Sequence, residues 1–242
     1  MRFDEQKIKI LYKFSDFYDE SYSKIKKYDN VEFIEELNFK KDLIPLISKD
    51  DEFTMFLVDD IVFKNPFSLY DQEFKIFKNS NDILTLSLRL HPNLIYCYPA
   101  SLKLNPPCFS MKDGTIDWTK EISGGDYGYP MSLDGHIFKT KDILPTLQLI
   151  HYTNPNSLEA TLAGIANNPS SLFRLKPKLL MYKKSKLFNN PLNKVQTNNP
   201  NKHGDITPEY LNEQFLCGKR IKNTFYGLDN TACHQIEKIE FE

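Results

Sequence analysis

No long apolar run is present: the longest such stretches, typified by Phe53-Thr54-Met55-Phe56-Leu57-Val58, fall far short of the roughly 18–20 residues that cross a bilayer. The first residues are charged, so no signal-like leader is read there. Excess charge is also lacking, since 31 basic and 32 acidic residues leave a formal net charge of -1. That balance removes the broad positive field of a protein that coats nucleic acid or an acidic membrane, and any anion must be met locally. Cysteine is sparse, and Cys97, Cys108, Cys217 and Cys233 include no close pair at zinc spacing and no disulfide framework. The expected setting is cytoplasmic and reducing, with no nucleic-acid partner and with peripheral membrane contact left open. Neither a P-loop nor a GxGxxG opening a helix occurs, and no internal repeat does.

What the chain does have is apolar material for a core: 18 Phe, 13 Tyr and 1 Trp within a composition that is 40% hydrophobic. Ile8, Ile10 and Tyr12 alternate with lysines as in a strand, and Ser15 or Asp16 can cap a helix reaching to about residue 28. A strand at 31–34, a helix at 39–47 and the apolar strand 53–58, expected to be covered on both faces, continue the alternation. Further strands are read at 82–88, 136–138 and 178–182, helices at 141–150, 157–166 and 207–215, and loops over 99–135. The expected fold is α/β, with a mostly parallel central sheet flanked by helices over 1–188. Residues 189–242 then supply an Asn-rich loop, a short helix and an irregular tail that pack on or close over the site.

Polar chemistry begins where the 53–58 strand ends, at Asp59-Asp60. Ligands of open α/β sheets sit beyond the carboxyl ends of strands, and carboxylates suit magnesium or manganese bridging the phosphates of a nucleotide. Adjacent strand residues face opposite ways, so one aspartate meets the metal and the other a sugar or the backbone; an Asx turn is the competing structural account. Gly124 to Pro130 and Asp134-Gly135-His136 form a glycine-rich loop, in which Asp126 and Asp134 can contact a sugar and Tyr127 can lie against its face. Trp118 can stack on a sugar or fill the core, Arg89 can meet phosphate or a salt bridge, and Lys24, Lys26 and Lys27 read as a solvated helix face.

The succession of strand and helix units leading into FTMFLVDDIVF resembles the nucleotide-sugar half of a GT-A-fold, Rossmann-related glycosyltransferase. GGDYGYPMSLDGHIF and NPNSLEATL resemble the acceptor-side loop and acidic helix of those enzymes, and the matches cover much of 7–165. The resemblance implies metal-dependent transfer of a sugar from a nucleoside-diphosphate donor to an acceptor hydroxyl of a carbohydrate or glycoconjugate. It implies Asp60, and Asp59 beside it, as metal and donor ligands, Ser15 and Asp16 at the base, and His234 as a late metal ligand. Glu159, or Asp134 in its place, becomes the general base of an inverting reaction, although Asn156 and Glu159 also have capping-box spacing and Asn154-Pro155 can cap the same helix. Related enzymes carry one more strand and helix ahead of the unit matching 7–12, so this chain is expected to lack that first unit. A noncatalytic binding module on the same scaffold is the alternative, and nucleotidyl transfer ranks behind both.

Overall fold

The computed structural model describes residues 8–26, 30–121, 125–194 and 203–242; the expectations placed on Lys27, on Gly124 and on 195–202 lie outside them. Alternating Ile and Lys form β1 (Ile8–Tyr12), after which a 3-10 turn at Asp16–Tyr18 leads into α1 (Asp19–Ile25) in place of one continuous helix. β2 (Val31–Glu35) pairs in parallel with β1. Asn38 caps α2 (Phe39–Leu46) by accepting from the Lys41 amide, and β3 (Phe53–Met55) follows. β4 (Ile61–Phe63) and α3 (Gln72–Asn79) carry little sequence signal, because α3 buries only Phe74 and Phe77.

β5 (Ile83–Ser87) is buried at every position, whereas β6 (Tyr96–Cys97) and β7 (Leu102–Lys103) are a small antiparallel pair and β8 (Thr115–Asp117) rises from the loop-rich stretch. β9 (His136–Lys139), α4 (Thr140–Leu149), α5 (Pro155–Asn167) and β10 (Lys178–Met181) lie close to their expected positions. β10 is not the last strand, since β11 (Leu187–Asn189) pairs with β4. Past it come α6 (Pro208–Leu216) and an antiparallel pair of β12 (Ile221–Lys222) with β13 (Glu240–Phe241).

The main sheet has the order β3-β9-β5-β10-β8, and β1-β2 forms a sheet of its own. Strand and helix alternation predicts a mostly parallel sheet; the sheet is mixed, with only β5 and β10 parallel and the β3/β9, β9/β5 and β10/β8 pairs antiparallel. The reason is topological. β9 returns from the 99–135 excursion to run between β3 and β5, and apolar periodicity carries no record of strand direction. β3 also differs from expectation, because it is three half-buried residues at the sheet edge and not a six-residue central strand.

Two apolar clusters flank the sheet. Phe138, Trp118, Leu158 and Leu162 belong to one, and Phe74, Phe77, Leu86 and Ile137 to the other. Each fully buried large side chain contributes about 1.5–3 kcal/mol of transfer free energy, which fixes the frame on which the polar residues stand. Gly135 ties together the residues just past the ends of β3 and β5, donating its amide to the Phe56 carbonyl at 2.9 Å and accepting from the Leu88 amide at 3.0 Å. Its φ of +75° and the approach of Leu187 Cδ2, 2.6 Å from where a Cβ would stand, leave no place for a side chain there.

Candidate functional site

A cleft of about 1360 Å³ opens beside β3 and runs from β1 to the end of the 53–60 segment. Asp59, Asp60, Asp134, Glu159, Asn189 and His234 line its acidic end. They come from five regions of the chain: the turn after β3, the loop before β9, the first turns of α5, β11 and the tail.

Asp60 accepts a hydrogen bond from Asn189 Nδ2 at 3.0 Å, and its carbonyl accepts from the Asn190 amide at 2.8 Å. Burial, followed by the charges of Asp134 and Asp59, pushes its carboxyl up to about 6. Asp134 takes the salt bridge from Arg89 Nη1, 3.1 Å from Oδ2, and His234 Nε2 stands 3.6 Å from the same oxygen. Burial works to raise the pKa of Asp134, but His234 and the Arg89 guanidinium outweigh it and hold the carboxyl below the ordinary carboxylate range. The other arm of Arg89 donates from Nη2 to Asp126 Oδ1 at 3.1 Å, so one buried guanidinium spans two buried carboxylates.

Glu159 is freed from capping duty. Asn154 caps α5 by accepting from the Ser157 amide, and Ser157 Oγ accepts from the Asn154 amide, which completes a capping box one residue pair earlier than the 156/159 spacing predicts. Glu159 instead turns inward and accepts from the Leu133 amide at 3.1 Å. Burial and then the Asp134 charge raise its pKa above the ordinary glutamate value.

Several other assignments are displaced. Asp126 and Tyr127 sit in a buried 3-10 turn, and the Tyr127 hydroxyl donates to the His91 carbonyl at 2.8 Å while accepting from the Leu94 amide at 3.2 Å. Trp118 is 2% exposed, and its indole donates to the Lys176 carbonyl at 2.9 Å. None of the three lines the cleft, and all three pack in the interior. Ser15 and Asp16 are exposed and also absent from the lining, because the chain turns outward past the stacked rings of Tyr12, Phe14 and Tyr22. Asn189 is the residue that sequence reasoning leaves without an assigned place, whereas Arg89 makes the salt bridge weighed for it. Lys24 pairs with Glu20, while Lys26 lies 4.6 Å over the Tyr12 ring.

Among the described residues no group of three His, Cys, Asp or Glu side chains is gathered closely enough to hold a metal ion. Asp60 is pressed by two neighbouring carboxylates, and His234 Nδ1 is buried without a partner.

His136, immediately behind Asp134, meets the Pro130 carbonyl through Nδ1 at 3.0 Å, while its Nε2 is buried and unpaired. Burial, then Arg89, lowers its pKa to about 3. An unfolded histidine protonates below about 6.5 and folded His136 does not, so its contribution to stability is whole above about pH 6.5 and drains away toward pH 3. The expected slope from this residue is up to ~1.4 kcal/mol per pH unit. Urea unfolding at pH 7.5 and pH 5 tests it: His136→Gln narrows the difference between the two conditions, and an unchanged difference removes His136 as its source.

No protein family profile matches the chain, and no solved structure does. Over 131 residues the chain is 30% identical to the bifunctional glycosyltransferase pgtA of Dictyostelium discoideum, a match that takes in 49% of this chain but 17% of that protein. The chain is thus similar, over about half its length, to a small part of a much longer glycosyltransferase.

Proposed function

We propose that the chain is a metal-dependent glycosyltransferase with a GT-A-like arrangement, moving a sugar from a nucleoside diphosphate to an acceptor hydroxyl. The observation that carries this reading is the convergence of Asp60, Asp134 and Glu159 on one cleft beyond the end of β3. The partial likeness to a glycosyltransferase supports the reaction class. Asp60, His234 and Asp59, which are not gathered into a cation cluster as they stand, are the residues that would have to close on manganese or magnesium, and the cation would neutralise the departing diphosphate. Asn189 fixes one oxygen of Asp60, which leaves the other for a ligand.

The two candidate bases have opposite environments. Asp134 is tied to Arg89 and held acidic, so it is a poor proton acceptor, whereas Glu159, which accepts from the Leu133 amide and hydrogen-bonds Ser132, still has its carboxyl raised above the ordinary glutamate value. Glu159 therefore takes the proton of the acceptor hydroxyl, the sugar inverts, and Asp134 orients His234. Glu159→Gln keeps the shape and the Leu133 hydrogen-bond distance but removes the base, with an expected fall in kcat of about 10²–10⁴. In the unsubstituted chain Asp60 must be ionised, so kcat/KM falls as pH drops through about 6, and the raised Glu159 carboxyl acts in the same direction. Product NMR and a pH–rate profile with a panel of nucleoside-diphosphate sugars measure both. Undiminished kcat in Glu159→Gln, or retention of configuration, defeats the assignment.

A further inference from the structure

Beside the large cleft lies a smaller space of about 180 Å³, bounded by Tyr98, Pro191, His234, Gln235 and Ile236. None of its walls belongs to β1 or β3. Three of them, Tyr98, Pro191 and His234, also line the cleft, so the two spaces adjoin where His234 stands against Asp134.

The walls are fixed by the chain's own bonds. The tail that supplies His234, Gln235 and Ile236 is stitched to β11: the Asn189 amide donates to the Cys233 carbonyl at 2.9 Å, and the Gln235 amide donates to the Asn189 carbonyl at 2.9 Å. The Asn190 side chain then pairs with Glu237 as a strand would, donating from Nδ2 to its carbonyl at 3.1 Å and accepting from its amide at 2.9 Å. Ile236 sits between these clasps, yet it is 42% exposed. Tyr98 opens the turn that joins β6 to β7, and its ring meets Tyr96 edge-on at 4.8 Å. The turn closes at Ser101, whose amide donates to the Tyr98 carbonyl at 3.0 Å and whose φ of +51° is left-handed, a conformation disfavoured for any residue with a Cβ. Strain of this kind is concentrated where a loop presents a side chain to a ligand. The hairpin is bound to the tail as well, because the Ile95 amide donates to the Thr231 carbonyl at 2.9 Å and the Thr231 amide donates to Gln235 Oε1 at 3.2 Å.

The chemistry of the walls selects the occupant. A phenol ring, a proline ring and a branched aliphatic chain supply apolar surface, and polar side chains stand only at His234 and Gln235. No Asp, Glu, Lys or Arg is among the described residues that line the space, so neither an ammonium ion nor a phosphate is matched. Its volume is the liquid share of about six water molecules, too little for a nucleotide or a long acyl chain and suited to a single six-membered sugar ring. Such a ring offers a face of C–H groups to Tyr98, Pro191 and Ile236 and an edge of hydroxyls to His234.

We propose that this space is an acceptor subsite that holds the second ring of a glycan whose first ring reacts in the cleft beside Glu159. The acceptor class is then an oligosaccharide or glycoside of two or more rings, and not a lone sugar or an amino-acid hydroxyl. The assignment rests on the sugar-transfer reading for the ring that reacts, whereas binding of the second ring is measured without donor or turnover.

The probe is a printed array of defined glycans in which each one-ring glycoside is accompanied by its two-ring extensions, and the glycans bound are titrated against the full chain by calorimetry and saturation-transfer NMR. The expected result is that two-ring glycans outbind their one-ring parents by about tenfold or more, with saturation on both rings. Ile236→Asp alters a side chain that is already exposed, so the melting temperature holds while the two-ring advantage falls toward parity, and Tyr98→Ala erodes the same advantage. Absence of glycan binding, equal affinity for one-ring and two-ring members, or an advantage that survives both substitutions overturns the proposal. The two readings fail separately. Two-ring binding without transfer from any nucleoside-diphosphate sugar strikes the transferase and leaves the ring site standing, while transfer to one-ring acceptors as efficient as to two-ring ones strikes the subsite and leaves the transferase.

Discussion

Asp60→Asn is expected to reduce sugar transfer by about 10²–10³ while making the free protein harder to unfold. The two effects have one origin. Burial and the nearby charges of Asp134 and Asp59 bring the Asp60 carboxyl to about 6, from an ordinary value of 3.8. A folded pKa above the unfolded one means that the ionised carboxylate weighs against the fold above about pH 6, and that this penalty fades as pH falls from about 6 toward 4. Asparagine keeps the shape, sheds the repulsion and can still meet Asn189. At pH 7.5 the gain is on the order of 1–3 kcal/mol, or a rise in Tm of about 3–8 °C. Calorimetry and a donor-panel transfer assay, run with and without chelator, read the two halves separately. Full activity in the variant removes Asp60 from the metal and donor site. A lowered Tm assigns it instead to holding β11 in place through Asn189.

Arg89→Met is expected to be the most destabilising single change in this region. Removing the guanidinium strands Asp126 and Asp134, both buried, without the cation that holds them. Breaking a buried pair from one side costs about 3–5 kcal/mol, which in a chain of this size lowers Tm by roughly 10 °C or more. Arg89→Lys returns the charge but not the fork that reaches two carboxylates at once, and lands between the two. Adding Asp126→Asn to Arg89→Met should recover part of the loss, because one of the two stranded charges is then gone. Thermal unfolding of these proteins together with the Asp126→Asn single variant decides the point: strictly additive changes mean that the ion triad is not the unit described.

The parts of this molecule that were legible in its sequence are those set by local periodicity. Alternating Ile and Lys give β1, and Leu158, Leu162 and the Asn154-Pro155 start give α5. The acids at 59, 60, 134 and 159 were legible as candidates from their places at the ends of apolar strands and the start of a helix, and they do share one cleft. Burial of the 126–128 turn was not legible. A Gly, Asp and Tyr-rich loop reads as solvent-facing, and only Arg89, 37 residues away, makes an interior Asp126 tolerable. The Asn189 contact to Asp60 spans 129 residues and leaves no trace in either neighbourhood. Sheet direction failed for a related reason: β9 is a good strand by composition, but which neighbours it runs between is decided by the path of the preceding loops.

His234 reaches Asp134 from a single β-bridge, in which it pairs with Asn189. Extended backbone alternates its side chains, so one residue inserted just before His234 would rotate the imidazole out of the cleft and present its neighbour, leaving the sheet untouched. The imidazole's aim is therefore a counting property of the tail. Evolution or an engineer can dial it by single-codon insertions and deletions without disturbing the carboxylates opposite.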